Sequence, residues 1–377
     1  AHHCNLTGLL NRAGLRETLE GAVLRCQDSG RRLALMFIDI DRFKSVNDTA
    51  GHAVGDEVLR HIAETLKRLV PPGGVLARQA GDEFVVMLPD VPGPHTPREL
   101  GEAICREVAQ VHRSHGLTIP LGASIGVALY SHDVGSASDL MRHADLAMYE
   151  AKRNAKGHVV FFDPKLDAAA QRKAQIEREL PVAIAEGELM LLFQPRVGAI
   201  DRRIESVEAL IRWNHPTRGM CPPAEFIPIA EDSDLIVAIG TWVIEAACSQ
   251  IAAWRLAGIE HLRVAVNLSA RQLDSDRIEW DIDNALARHG LDPQDLELEI
   301  TESALVGESD AITQRLERLR ARGLMLALDD FGTGYSSMSY LRRLPVDILK
   351  VDRSFVTDVC TDPAAQAVAR AIVAMAR

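Results

Sequence analysis

An α+β domain followed by an α/β domain is the fold class this sequence predicts, and three observations predict it. The first half sets helical apolar stripes between short strand-like runs and holds one tight hairpin. The second half repeats strand-then-helix units, the pattern of a parallel sheet or a (β/α) barrel. The length, 377 residues with 47% apolar content, suits two domains at roughly 100–200 residues each. Aromatic residues are only 5%, and Ala, Leu, Val and Ile carry the apolar load, which favours helix-rich α/β packing over a β-sandwich.

The first domain spans residues 1–163. A helical pattern over 8–27 leads into the apolar run 33–38, a buried strand. Val54, Val58, Leu59, Ile62, Leu66 and Leu69 form the stripe of a second helix, which Pro71-Pro72-Gly73-Gly74 stops. Val75–Ala80 and Glu83–Leu88 read as strands separated only by Gly81-Asp82, a hairpin. A helix over 98–115, a strand over 124–130, a helix over 138–154 and a short strand over 159–162 complete an antiparallel sheet backed by helices. Residues 164–179 are polar, charged and helical, and read as a connector. The second domain, 180–377, holds six strand-like runs, at 189–193, 204–211, 262–268, 296–300, 324–328 and 346–351. A closed barrel of this class takes eight, and the chain ends inside a helical stretch, so its C-terminal part reads as missing.

The formal charge of −11 excludes a general electrostatic hold on a nucleic-acid backbone. An anionic substrate then needs local cations or bound metal. Six scattered cysteines without a CxxC pair suit reduced thiols in the cytoplasm, and no signal peptide is evident. The apolar stretch 235–254 is interrupted by Thr241, Glu245, Ser249 and Gln250 and preceded by Glu231, Asp232 and Asp234, which reads as a buried helix rather than a membrane span.

Two acidic pairs mark the first domain. Asp39 and Asp41 end the buried strand on one side of it, and Asp82-Glu83 sits in the hairpin. Singly, such acids are ordinary loop residues; brought together by a sheet, they can hold Mg²⁺ against nucleotide phosphates and stabilise in-line phosphoryl transfer. Lys44, Asn47, Asp48 and Asp56 follow, and Asn and Asp can read a guanine edge as readily as they cap helices. Lys152, Arg153 and Lys156 lie at one helix end, either compensating its dipole or meeting phosphates. In the second domain Glu208, Asn267, Glu299, Asp329 and Asp330 stand at or near strand C-terminal ends, where a βα barrel gathers its catalytic groups. Oxygen donors from four strands suit a hard cation. Lys350, ending the sixth run, can orient the attacking water or stabilise developing phosphate charge. The Gly-rich segment from Asp330 through Gly332, Thr333, Gly334 and Tyr335 reads as a site loop.

These residues carry a resemblance. Leu6-Thr7-Gly8-Leu9-Leu10-Asn11-Arg12 resembles LTGLxNR, the segment Asp39 to Asp56 resembles DxDxFKxxND…GHxxGD, Gly81-Asp82-Glu83-Phe84 the signature hairpin, and Ala144 to Lys152 the ADxAMYxAK helix of GGDEF domains. Phe193-Gln194-Pro195, Glu208-Ala209-Leu210 with Arg212, Val266-Asn267-Leu268-Ser269, Glu299-Ile300-Thr301-Glu302, Asp329-Asp330-Phe331-Gly332 and Leu349-Lys350-Val351-Asp352 resemble the motifs of EAL domains. The resemblance implies a ferredoxin-like nucleotidyl cyclase palm followed by an incomplete EAL-type TIM barrel, with Mg²⁺ or Mn²⁺ as cofactor and GTP and cyclic-di-GMP as ligands. It makes Asp39 and Asp82 metal ligands, with Asp82 and Glu83 at the catalytic hairpin and Asp82 favouring deprotonation of a ribose 3′-hydroxyl. Asn47 and Asp56 would hold guanine, and Lys44, Lys152 and Lys156 phosphates. It assigns Glu208, Asn267, Glu299 and Asp329 to one ion and Asp329 with Asp330 to a second. Glu302 would steady the glycine loop, Gln194 and Arg212 would contact the dinucleotide, and Lys350 would act at the reacting phosphate. The cyclase joins two GTP molecules held by two subunits, so a homodimer is implied.

Departures set further expectations. Ala80 replaces the first signature Gly, at a strain of roughly 1–2 kcal/mol if that position needs positive φ. Cys4 stands where the opening motif has Asp, weakening a turn. Pro71–Gly74 occupies the usual RxxD product-inhibition position, so that feedback site reads as absent. The later EAL-domain Glu and Gln lie beyond Arg377, so the chain reads as a fragment of a longer protein with an upstream sensor domain or membrane segment. The alternatives are a cyclase-like domain that binds GTP only to regulate the phosphodiesterase, or a cyclic-di-GMP receptor.

Overall fold

The computed structural model describes residues 2–29, 31–114, 120–130, 136–154, 156–305, 310–332 and 344–375, so Thr333, Gly334 and Tyr335 of the glycine loop lie outside the described residues. It divides into two units, Ala1–Arg172 and Lys173–Arg377.

The first unit runs α1 (Arg12–Ser29), β1 (Leu33–Asp41), α2 (Phe43–Ala50), α3 (His52–Leu69), β2 (Val75–Ala80), β3 (Glu83–Leu88), α4 (His95–Ser114), β4 (Gly122–Tyr130), α5 (Ala137–Asn154) and β5 (Val159–Phe161). Alternation explains the layering. Leu33, Leu35 and Phe37 enter the core under α1 and α5, while Met36, Ile38 and Ile40 enter the core with Ile62, Leu66 and Ile104 of α3 and α4. A strand buried on both faces belongs in mid-sheet, and β1 is the centre of the order β2-β3-β1-β4-β5. The β1–β3, β1–β4 and β2–β3 pairs are antiparallel as expected; β5 joins β4 in parallel.

Helix α6 (Pro164–Ala185) crosses the boundary and buries Ile176, Leu180 and Ala183 in the second unit's core. That unit continues β6 (Leu189–Val197), β7 (Ile204–His215), β8 (Gly219–Cys221), α7 (Pro223–Glu231), α8 (Leu235–Leu256), β9 (Arg263–Leu268), α9 (Ala270–Asp274), α10 (Ile278–His289), β10 (Leu296–Thr301), α11 (Glu302–Leu305), α12 (Asp310–Ala321), β11 (Met325–Phe331), β12 (Ile348–Val351) and α13 (Pro363–Met375). The sheet order is β12-β11-β10-β9-β7-β6, with β8 on β7. From β7 to β12 the pairs are parallel. The first strand departs from the expected uniform βα repeat, because β6 is antiparallel to β7. Once β6 extends to Val197, only residues 198–203 remain before β7, and so short a link closes a hairpin but not a crossover of a dozen or more residues.

Helix α8 is long and apolar enough to cross a membrane. Its buried residues, Ile236, Ile239, Gly240, Val243, Ile244, Ala247, Cys248 and Ile251, follow helical spacing and pack in the core against β9 and α10.

Candidate functional site

In the first unit the β1–β3 ladder pairs Asp39 with Glu83, so the strand-end acid and the hairpin acids meet across one register step. Asp39 is buried and its Oδ2 lies 2.6 Å from Lys152 Nζ on α5. The approach of α5 depends on Gly126 of β4, where a Cβ would stand 2.1 Å from Ala144 O and Met148 N. Burial pushes the Asp39 carboxyl above its ordinary range; Lys152 opposes this, and the charge of Asp82 adds to it. Glu83 is also raised, by burial first and then by Asp39, Asp145 and Asp82. Asp39 thus faces the Lys152 ammonium, with Asp82 and Glu83 near enough to raise its carboxyl or be raised by it, a set of hard oxygens that suits a divalent cation. Asp41 turns elsewhere: its Oδ1 accepts from Ser124 Oγ at 2.8 Å, and its buried Oδ2 has no hydrogen-bond donor.

The residues expected to read guanine lie on neighbouring helices. Asn47 of α2 lies against Gly55 of α3, so closely that a Cβ there would stand 2.0 Å from Asn47 Oδ1, and Asp56 follows directly. Lys44, at the start of α2, and Lys156, beyond α5, are exposed.

Ala80 carries no left-handed strain: it is absent from the positive-φ residues, whereas Gly81 takes φ +50°. Ala80 instead pairs with Glu83 at the ladder's end, where a Cβ is tolerated, so the conditional strain penalty does not arise. The turn at Cys4 closes as well, through Cys4 N to Leu9 O and Gly8 N to Cys4 O, each 2.8 Å. Arg78, which the motifs did not single out, donates to Gly81 O from Nε (2.9 Å) and Nη2 (2.6 Å) and to Cys4 Sγ from Nη1 (3.4 Å). Burial works against the Cys4 thiolate, but hydrogen bonds from Thr7, Leu6 and Arg78 bring the thiol down to about 7.

In the second unit, carboxylate oxygens of Glu208 (β7), Glu299 (β10) and Asp329 (β11) lie within 4.8 Å of one another. Lys350 Nζ sits among them, 3.2 Å from Glu208 Oε2, 2.8 Å from Asp329 Oδ2 and hydrogen-bonded to Glu299 Oε2. The Lys350–Glu208 contact shows that the sheet curls. Strands β12 and β7 stand four places apart in the sheet, which in a flat sheet is about 19 Å at about 4.8 Å per step. Asn267, level with Glu299 in the β9–β10 ladder, donates Nδ2 to Glu208 Oε1 at 3.1 Å. The four expected ligands therefore converge, and an ammonium already occupies the centre of the three acids. That arrangement fits a divalent cation.

Burial pushes Glu299 up to about 7 against the pull of Lys350. Burial also disfavours the Lys350 ammonium, but its bonds to Asp329 and Glu299 outweigh that and hold its pKa above the ordinary lysine value. Asp330 adopts φ +52° and donates its N–H to Asp329 Oδ1 at 2.8 Å; its own carboxyl is raised by burial, then by Asp329 and Asp352. Glu302 is buried and accepts from Gly332 N at 2.9 Å. Gln194 is exposed on β6, in register with Glu208, and Arg212 donates to Ile211 O. A cavity of about 670 Å³ borders Asn267 and Ser269, with walls from Leu210, Ile236 and Ile239.

Sequence reasoning passed over Arg196 and Glu297. Arg196 lies two residues past Gln194, beyond the expected end of its strand at 193, and donates to Glu297 and Glu299 at 2.8 and 3.1 Å. The available signal was Glu297 itself, a second acid inside a short strand-like run between apolar neighbours, which needs a cationic partner once buried.

Each unit thus gathers acids near the ends of neighbouring strands with a lysine close by, an arrangement suited to cation-assisted chemistry on an anionic substrate. The diguanylate cyclase GGDEF domain model matches residues 1–158, and the EAL domain model matches residues 177–377. The chain belongs to the tandem GGDEF–EAL family of cyclic-di-GMP proteins, and the expected fold class stands. An uncharacterized signaling protein of Caulobacter vibrioides is 41% identical over 380 residues, covering all of this chain and 46% of its own. The bifunctional diguanylate cyclase/cyclic di-GMP phosphodiesterase MucR of Pseudomonas aeruginosa is 40% identical over 377 residues, covering all of this chain and 55% of its own. The chain spans about half the length of these relatives. The solved PaMucR phosphodiesterase, a c-di-GMP complex, superposes with a TM-score of 0.51 at 43% identity, covering 53% of this chain and 81% of that one. Vibrio cholerae LapD S helix-GGDEF-EAL, at 18% identity and a TM-score of 0.59 over 97% of this chain and 85% of that one, shares the fold. EAL domains are divalent-metal-dependent phosphodiesterases, and the acidic cluster of the second unit is a candidate for that ion.

Proposed function

We propose that the second unit hydrolyses cyclic-di-GMP to linear pGpG, and that the first joins two GTP into cyclic-di-GMP with release of two pyrophosphates. The observation that carries this reading is the convergence of Glu208, Glu299 and Asp329 around the Lys350 ammonium. Glu208, Asn267, Glu299 and Asp329 would hold one Mg²⁺ or Mn²⁺, and Asp329 with Asp330 a second. Bound there, the ions would supply Lewis acidity to the phosphodiester and acidify the attacking water. Lys350 donates toward the phosphate oxygens or that water, offsetting charge that grows during attack. Gln194 and Arg212 flank the dinucleotide, and the cavity beside Asn267 offers apolar walls to a flat base. Glu302 ties the start of the glycine loop through Gly332.

In the first unit Asp39 and Asp82 would hold the ion, with Asp82 and Glu83 beside the ribose 3′-hydroxyl. Asn47 and Asp56 would read guanine, and Lys44, Lys152 and Lys156 would meet phosphates. Each copy brings one GTP, so synthesis takes a homodimer. Six free cysteines accord with the reducing cytoplasm.

The test is turnover by the full-length protein of GTP and, separately, cyclic-di-GMP, with Mg²⁺ or Mn²⁺. Glu208→Ala is expected to abolish hydrolysis and spare synthesis, and Asp82→Ala the reverse. Hydrolysis untouched by Glu208→Ala would remove the site assignment. GTP bound without conversion would make the first unit a regulator of the second.

A further inference from the structure

We infer that Arg196 is a positioning residue of the cation site, holding one oxygen of Glu299 so that the other is presented to the ion. The inference rests on the phosphodiesterase reading and deepens it. Glu299 uses its two oxygens separately. Oε1 accepts from Arg196 Nη1 at 3.1 Å, while Oε2 faces Lys350 in the acid cluster. Arg196 Nη2 donates to Glu297 Oε1 at 2.8 Å, and Glu297 Oε2 lies 3.5 Å from Arg263 Nη1.

The pattern follows from strand geometry. Glu297 and Glu299 are two apart on β10, so they share a face about 7 Å apart. Their side chains are fully buried, and two such carboxylates need compensating charge. Arg196 and Gln194 share a face of β6 by the same alternation. Strands β6 and β10 stand three places apart in the sheet, so the guanidinium reaches across the concave side, as Lys350 does from the other edge. A guanidinium has N–H groups in a rigid fork and can engage two carboxylates in fixed directions; an ammonium is a point charge and fixes neither. With Oε1 committed to Arg196, the Glu299 carboxylate cannot rotate away from Glu208 and Asp329. Lys350 can leave its position when an ion arrives, whereas Arg196 holds the face turned away from the ion and remains engaged. Groups that orient a ligand in this way typically contribute 10–100-fold to metal affinity.

The experiment is Mn²⁺ binding to the full-length protein in an Asp82→Ala background, which removes the first unit's proposed site, followed by the electron paramagnetic resonance signal of free Mn²⁺, with thermal melting alongside. Arg196→Met is expected to weaken Mn²⁺ binding about 10–100-fold. Arg196→Lys keeps the charge and the fold but loses the fork, and is expected to weaken binding about fivefold or more while melting as wild type. A purely structural ion pair would change melting alone. Wild-type Mn²⁺ affinity in a folded Arg196→Met protein, or in Arg196→Lys, would overturn the inference while leaving the phosphodiesterase reading intact. No Mn²⁺ binding by the wild type would bring down that reading, and the inference with it.

Discussion

Lys350→Met removes the ammonium from the centre of three carboxylates, and its consequences can be worked from the structure. Breaking a buried pair by deleting one partner costs about 3–5 kcal/mol, because the remaining charge is left uncompensated. Lys350 is one-fifth exposed, so the lower end applies, about 3 kcal/mol. For a unit of this size that is a fall of roughly 6–12 °C in melting temperature. All four tryptophans, Trp213, Trp242, Trp254 and Trp280, lie in the second unit, so their fluorescence follows its unfolding selectively. In EDTA the variant is expected to melt below wild type by that amount. Excess Mn²⁺ should then restore it, since a ligand at 100 times its Kd adds about 2.7 kcal/mol. The Mn²⁺-induced rise should be larger in the variant than in wild type, where the ion competes with the internal ammonium. Hydrolysis of cyclic-di-GMP should be lost even so. Equal melting in EDTA, or equal Mn²⁺-induced rises, would refute the view that the ammonium stands where a divalent cation belongs.

Two further predictions address the rest of the chain. Gly55→Ala puts a Cβ where Asn47 Oδ1 now lies; the amide swings away while the helix gains up to about 1 kcal/mol from replacing Gly. GTP affinity should fall about tenfold, the loss of one hydrogen bond near 1.4 kcal/mol, with no loss of melting temperature; calorimetric titration with GTP checks this. Glu279 is held below the ordinary carboxylate range by its hydrogen bond from Arg318, with Arg322 and Arg315 adding charge against the cost of burial. A depressed folded pKa gives stability that is present above the ordinary value of 4.5 and lost as pH falls through the folded one. Glu279→Gln should therefore cost up to about 1 kcal/mol at pH 7, since Arg318 and Arg322 beside it are largely solvent-screened, and the difference from wild type should shrink toward zero well below pH 4.5, read by urea unfolding.

Local chemistry is legible in the sequence itself. The Gly81-Asp82 hairpin, the buried run from Leu33, the stripe from Val54 to Leu69 and the acids at strand ends each depend on neighbours a few residues away, and period and turn chemistry express those directly. What tertiary structure decided concerns partners far apart in the chain. Arg196 meets Glu297 and Glu299 about a hundred residues later, and Lys350 meets Glu208 at a separation of 142, because the sheet curls and brings non-adjacent strands face to face. The direction of β6 depended on where its hairpin closed, and the absence of backbone strain at Ala80 on its φ. Alternation along a strand determines which face a residue takes, but only closure of the sheet determines what stands opposite, since that distance is set by strand order and curvature rather than by spacing along the chain.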